Sequence, residues 1–250
     1  MGDPARIIER MVPSAVRVVE GENGPQDVSA FPDESVVIRH AVEKRRREFR
    51  AGRACARLAL AALGIHDVPI PSGPRREPLW PPGIVGSITH CRGYVAAAVV
   101  SSDHLMALGI DAEERGAVGS DLESLLCTPV EAQRHGACEQ ASWRTLLFSA
   151  KESVFKALYP LRHLELEFRD LEVVLEPFGD PEQGARGPSS RMVSQGRFSV
   201  SPAPGLPSRS LAADLERIEG RFLIDERHVF TAAWLPVTLD GPTAKLQPGM

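Results

Sequence analysis

Several things are scarce in this chain, and each scarcity removes a class of function. It has only four cysteines, at 55, 91, 127 and 138, with no CxxC pair and no histidine at zinc-ligand spacing. A cysteine-held metal is therefore not expected, and free thiols in a reducing compartment are. Seven histidines are scattered without an HExxH-type signature. No uncharged apolar run approaches the roughly 18–20 residues that span a bilayer, so no membrane role is expected. The opening MGDPARIIERMV lacks the charged-then-apolar order of a secretory signal, so the expected location is the cytoplasm. A basic excess is missing too. The 29 Lys and Arg residues stand against 33 Asp and Glu, for a net charge of −4 and a pI of about 6. That balance argues against nucleic acid as an obligatory partner.

What is present suits a folded enzyme-sized domain. The 250 residues are 43% hydrophobic, enough to bury one large core or two small ones. Residues 15–19 read as a short strand, and 36–63 as a long helix. That helix carries apolar positions Val42, Phe49, Ala56, Leu60 and Leu63 on one face and ends at Gly64. A proline-rich connector, VPIPSGPRREPLWPPG, cannot be regular structure. Strands are expected at 84–89 and 94–100, joined by a His-Cys-Arg-Gly turn, and at 105–110. A second helix is expected over 139–159, with Trp143, Leu147, Ala150, Val154 and Leu158 on its inner face and Pro160 as its stop. Late strands are expected at 171–175, 197–201, 221–224 and 229–235, with loop through much of the Gly-, Pro- and Ser-rich 179–210. Each half then holds one long helix among several strands.

Four constellations can carry chemistry. In Gly109-Ile110-Asp111-Ala112-Glu113, strand alternation points Asp111 and Glu113 to the same side. Two such carboxylates repel unless a cation lies between them, and oxygen ligands suit magnesium or manganese. A solvated acidic strand end would read the same way. In FSAKESVFK, Glu152 and Lys156 share a helix face away from the core stripe, which by itself also describes an ordinary surface ion pair. Arg46, Arg50, Arg53 and Arg57 make a basic stripe on the first long helix, either a phosphate site or a solvated face. Arg75 and Arg76, held among prolines, precede a strand that delivers Ser87, Thr89 and His90.

RRREFRAGRACARLAL, REPLWPPGIVGSITHC, LGIDAE and FSAKESVFKA, in that order, closely resemble the successive motifs of phosphopantetheinyl transferases. The match is to the single-chain class that activates siderophore, nonribosomal-peptide and polyketide synthases, nearest the enterobactin-synthase-associated branch. The resemblance implies an α/β (α+β) fold of two similar lobes, each a long helix packed on a small, mainly antiparallel sheet, with a ligand cleft between them. Residues 1–103 and 104–236 would form the lobes, and 237–250 a disordered tail. It implies transfer of the phosphopantetheine arm of coenzyme A to a serine of an acyl or peptidyl carrier protein, by a monomer. It implies a metal site at Asp111, Glu113 and Glu152 for Mg2+, with Mn2+ possible, and Glu152, Lys156 and Asp111 as the catalytic set. Coenzyme A contacts would come from Arg45, Arg53, Arg75, Arg76, His90, Lys156 and the nearby Lys151, with Ser87 and Thr89 lining the nucleotide pocket. Another magnesium-dependent nucleotide or coenzyme A transferase or hydrolase would share these residues, as would a silent coenzyme A or carrier-protein binding module.

Overall fold

The run YVAAAVVS forms a strand that borders two of the three buried apolar clusters among the described residues. In a strand, successive side chains point to opposite faces. In this chain Val95, Ala97 and Val99 enter one core, while Ala96, Ala98 and Val100 enter another. A strand buried on both faces reads as an unbroken apolar run. The structure is a computed structural model that describes residues 6–22, 24, 31–35, 38–135, 142–178, 192–204 and 209–237.

That strand, β3 (Tyr94–Ser101), lies between β1 (Arg17–Gly21) and β2 (Ile84–Cys91) in an antiparallel three-stranded sheet. A four-residue helix, α1 (Pro32–Ser35), precedes α2 (Glu43–Ala61), which covers the sheet. The inner face of α2 is mostly small: Cys55, Ala56 and Ala59, with the larger Leu60, pack on Val95, Ala97 and Val99. The second sheet is also antiparallel, in the order β4-β8-β7-β6-β5, with β4 (Leu105–Glu114), β5 (Leu171–Pro177), β6 (Met192–Pro202), β7 (Glu219–Asp225) and β8 (His228–Pro236). Two short helices, α3 (Glu123–Leu126) and α4 (Pro129–His135), lead to α5 (Ser142–Arg162), which lies across β4 and β8. Its stripe Leu147, Ala150, Val154 and Leu158 is buried, as the spacing predicts. A last helix, α6 (Arg209–Arg217), buries Leu211 and Leu215 and is pinned to α5 by Arg162 Nε donating to Asp214 at 2.6 Å.

The two units meet where β2 runs beside β4. There the backbone N–H of Ile110 donates to Ser87 Oγ and that of Ala112 to Thr89 Oγ1, both at 3.0 Å. Hydroxyls thus take the part that carbonyls play in a sheet ladder. Ala96, Ala98 and Val100 share one core with Leu108, Ile110, Phe230 and Trp234. The fold is α+β with two antiparallel sheets, each carrying a long helix, as expected.

Several boundaries differ from the sequence reading. The first long helix begins at Glu43, because Val42 is extended (ψ 155°) and 74% exposed, outside the apolar stripe. Pro160 does not stop α5, which runs on to Arg162. The missing N–H falls in the last turn, where little helix remains to be disrupted. β2 extends through His90 and Cys91, so only Arg92 and Gly93 turn, with Gly93 at φ +76°. Part of the expected loop is strand, since β6 starts at Met192. Helices α1, α3, α4 and α6 were not expected. The expected tail, apart from Val237, and Cys138 lie outside the described residues, and the other three cysteines are free, Cys55 and Cys127 buried.

Candidate active site

A cleft of about 420 Å³ opens where the two units meet, and its walls come from α2, the proline-rich connector, β2, β4 and α5. Eleven of the twelve site residues that the resemblance implies line it: Arg45, Arg53, Arg75, Arg76, Ser87, Thr89, His90, Asp111, Glu113, Glu152 and Lys156. The exception is Lys151, which is buried in the body of the C-terminal unit and does not reach the cleft.

The acidic wall depends on how closely β4 approaches α5. Gly109 is in contact with that helix: a Cβ placed on it would stand 1.8 Å from the Ser153 carbonyl oxygen and 2.7 Å from the Ala157 nitrogen. Two residues later on the same strand, Asp111 is 3% exposed. Its Oδ1 accepts from Lys156 Nζ at 2.5 Å and from Thr89 Oγ1 at 3.3 Å, while Lys156 also reaches the Ile110 carbonyl at 3.3 Å. Its Oδ2 is buried and has no hydrogen-bond partner among the described residues. Burial, with the Asp111 charge adding to it, pushes the Glu113 carboxyl up to about 7. Burial also raises Glu152, against the pull of Lys156 and with a further push from Asp111. Carboxyl groups raised by dehydration and by one another can hold a proton near neutrality or accept a cation.

The basic wall is the work of α2 and the connector. Arg53 is 4% exposed and lies 4.6 Å over the Phe49 ring. One terminal nitrogen donates to Ser72 Oγ at 2.9 Å, but its buried Nε has no partner among the described residues. Burial lowers it to about 10, which still leaves the guanidinium charged at neutral pH. Arg45 Nη1 stands 2.7 Å from His90 Nε2. Arginine can only donate, so this nitrogen accepts and the imidazole proton resides on Nδ1, 3.9 Å from Glu48. Burial and then Arg45 hold His90 below its usual range, so it serves as a neutral hydrogen-bonding group. Arg75 and Arg76 ride on a tight loop closed by the Ser72–Pro78 bridge, with Arg76 at φ +67°. Arg75 pairs with Glu165 beyond α5.

The predicted basic stripe on α2 divides. Arg53 faces the cleft, whereas Arg57 pairs with the buried Glu34 at 2.7 Å and Arg46 donates to the Arg39 carbonyl. Sequence reasoning missed Phe155 as a cleft residue, and Phe49 was read as core. Glu48, which steers both Arg45 and His90, was also missed. Its place three residues after Arg45 on the same helix was the available signal.

Comparison with known proteins accords with this geometry. The 4'-phosphopantetheinyl transferase N-terminal domain matches residues 33–100, and the 4'-phosphopantetheinyl transferase superfamily matches 107–200. The 4'-phosphopantetheinyl transferase Npt of Nocardia iowensis is 36% identical over 228 residues, covering 90% of this chain and 98% of that protein. Svp of Streptomyces mobaraensis, a 4'-phosphopantetheinyl transferase, is 43% identical over 151 residues, 59% of this chain and 61% of its own. Enterobactin synthase component D of Escherichia coli is 44% identical over 124 residues, 48% of this chain and 58% of its own. With both halves matched and a relative covered almost end to end, the chain belongs to the 4'-phosphopantetheinyl transferase family.

Proposed function

We propose that this cleft binds coenzyme A with its phosphates toward Arg45, Arg53, Arg75, Arg76, His90 and Lys156, and a divalent cation at Asp111, Glu113 and Glu152. The protein transfers the 4'-phosphopantetheine of coenzyme A to a serine of a carrier protein, converting apo to holo carrier. The observation that carries the site assignment is a pair of unsatisfied buried atoms in one cleft: Asp111 Oδ2 on the acidic wall and Arg53 Nε on the basic wall. An orphaned buried carboxylate oxygen and an orphaned guanidinium N–H are costly unless a ligand answers them. The first calls for a cation and the second for an anion, which is what a metal-bound pyrophosphate offers.

The residues fit such a cation. Hard oxygen donors suit Mg2+, with Mn2+ as an alternative, and Mg2+ characteristically combines a few carboxylates with substrate phosphates. Among the described residues no three acidic, imidazole or thiol groups are gathered tightly enough to hold an ion unaided. A divalent cation bound there would neutralise charge on the pyrophosphate oxygens.

The chain's own groups account for the rest. The carrier serine oxygen attacks the β-phosphorus of coenzyme A, and the bond from that phosphorus to its bridging oxygen breaks. The electron pair leaves with 3',5'-adenosine bisphosphate. Glu152, raised by burial, accepts the serine proton. Lys156 stands by Asp111 and supplies positive charge where the leaving oxygen becomes negative. Arg45 and Arg53 fix the coenzyme by paired donors and hold the reacting phosphorus in line.

A single chain supplies both walls, so a monomer suffices, with residues 1–103 and 104–236 as the two lobes. Acyl and peptidyl carrier proteins are the fitting partners: they are acidic, and the arginines of α2 give local attraction despite a net charge of −4. No helix among the described residues is long and apolar enough to cross a membrane. A cytoplasmic location, with no membrane or nucleic-acid partner, is the reading that goes with this chemistry.

Intact mass spectrometry of an apo carrier incubated with the protein, coenzyme A and Mg2+ tests the reading. A gain of one phosphopantetheine group per carrier is expected, and its loss when a chelator is added. Consumption of coenzyme A without carrier modification would point instead to a hydrolase, and binding without either to a silent module.

A further inference from the structure

We infer that Lys151 and Glu131 are positioning residues that hold Glu152 at the cleft from behind its helix, an inference that rests on the metal role proposed for Glu152. Lys151 has a place in the cleft-forming motif but not in the cleft. Its side chain is 1% exposed and that of Glu131 is fully buried, with Nζ and Oε2 2.7 Å apart. The ammonium makes two further bonds, to the Leu126 carbonyl at 2.9 Å and the Phe168 carbonyl at 2.7 Å. All three of its hydrogens are thereby used.

Glu131 is equally committed. Oε2 also accepts the Thr128 N–H at 2.8 Å, which caps the start of α4, and Oε1 accepts the Val173 N–H at 2.7 Å. Val173 is on β5, the last strand of its sheet, and this N–H goes to Glu131 where no further strand stands. One ion pair therefore ties α5 to the end of α3, the start of α4, the turn at Phe168 and the sheet edge.

The geometric consequence falls on the next residue. Consecutive side chains on a helix diverge by about 100°. Lys151 points into the body of the C-terminal unit and Glu152 into the cleft. Directional bonds from three sides fix both the rotation and the axial position of α5 at the turn that presents Glu152. Apolar packing at this point would fill the space but would not fix the rotation. Removing two charges from water has a desolvation cost that an apolar pair avoids. The ion pair is thus explained by placement rather than by stability.

The test is Mn2+ affinity of the whole chain with coenzyme A bound and no carrier, measured by electron paramagnetic resonance of free Mn2+ against a coenzyme A blank. Glu131→Gln and Lys151→Met are each expected to weaken Mn2+ binding about tenfold, the scale seen when the support of a metal ligand is removed. In a Glu152→Gln background the same changes are expected to add nothing, because the effect runs through that carboxylate. If either single variant fails to give a native melting transition, the charge-free Lys151→Met/Glu131→Leu pair replaces it, with the same expectation. Unchanged affinity in folded variants overturns the inference, and so does a tenfold loss that persists on top of Glu152→Gln. Should Glu152→Gln itself leave Mn2+ binding unchanged, the metal assignment falls and the inference with it. That outcome is distinct from failure of the ion pair alone.

Discussion

Asp111→Ala is expected to lose at least about 10²-fold in kcat/KM for carrier modification, while its melting temperature stays level or rises. The rate loss follows from losing a carboxylate that would hold the divalent cation, and with it the positive charge that offsets the pyrophosphate; losing such electrostatic stabilisation typically costs about 10²–10³-fold. The stability expectation is less intuitive, because a 3%-exposed residue is being truncated. Asp111 is poorly satisfied by the protein alone: Oδ2 is buried without a partner among the described residues. Truncation removes that unmet desolvation cost. Lys156, with a side chain 28% exposed, can turn toward water. Thr89 keeps its bond from the Ala112 N–H. Residues that serve a ligand at the expense of the fold behave in this way. Thermal melting beside a steady-state transfer assay separates the two effects. A folded Asp111→Ala protein with normal turnover would remove this carboxylate from the site.

Gly109→Ala is expected to damage both fold and activity. The added methyl would lie 1.8 Å from the Ser153 carbonyl oxygen, and that atom is backbone in the middle of α5. The helix must therefore move away from β4. Overpacking of this kind costs about 1–3 kcal/mol, or roughly 2–12 °C of melting temperature at this chain length. It also separates the two elements that bring Asp111 and Glu152 to one cleft, and a misplacement of about 1 Å can cost about 10²-fold in rate. Gly21→Ala is the control. It has nothing within 4 Å of its added Cβ, so its melting temperature and transfer rate should match the parent. A Gly109→Ala protein with parental turnover would mean that β4 and α5 need not touch for catalysis.

The residues that line the cleft were more legible in the sequence than the fold around them, and the reasons are physical. Asp111, Glu113 and Glu152 could be read because strand alternation and helical spacing state which side chains share a direction. Their convergence could not be read this way, since it depends on Gly109 letting β4 and α5 touch. The resemblance supplied what spacing lacked. Lys151 shows the limit of carrying a motif over residue by residue: its neighbour Glu152 faces the cleft, and one step along a helix turns the side chain into the core. Leu211 and Leu215 made a readable i, i+4 pair, but α6 was hidden by the Gly- and Pro-rich residues before it. The polar hydroxyls of Ser87 and Thr89 read as pocket lining. They do border the cleft, yet they also join β2 to β4, a use that no single-strand pattern can signal.

The central claim is a division of labour within one cleft, with acids for the metal and arginines for the coenzyme. Isothermal titration of coenzyme A into the parent, Asp111→Ala and Arg53→Ala, each with and without Mg2+, tests it most directly. Mg2+ is expected to strengthen coenzyme A binding by the parent and to do nothing for Asp111→Ala. Arg53→Ala should bind more weakly by about 10-fold or more, the worth of a charge-assisted hydrogen bond, and should still respond to Mg2+. Equal strengthening by Mg2+ in Asp111→Ala, or unaltered binding by Arg53→Ala, would contradict the account.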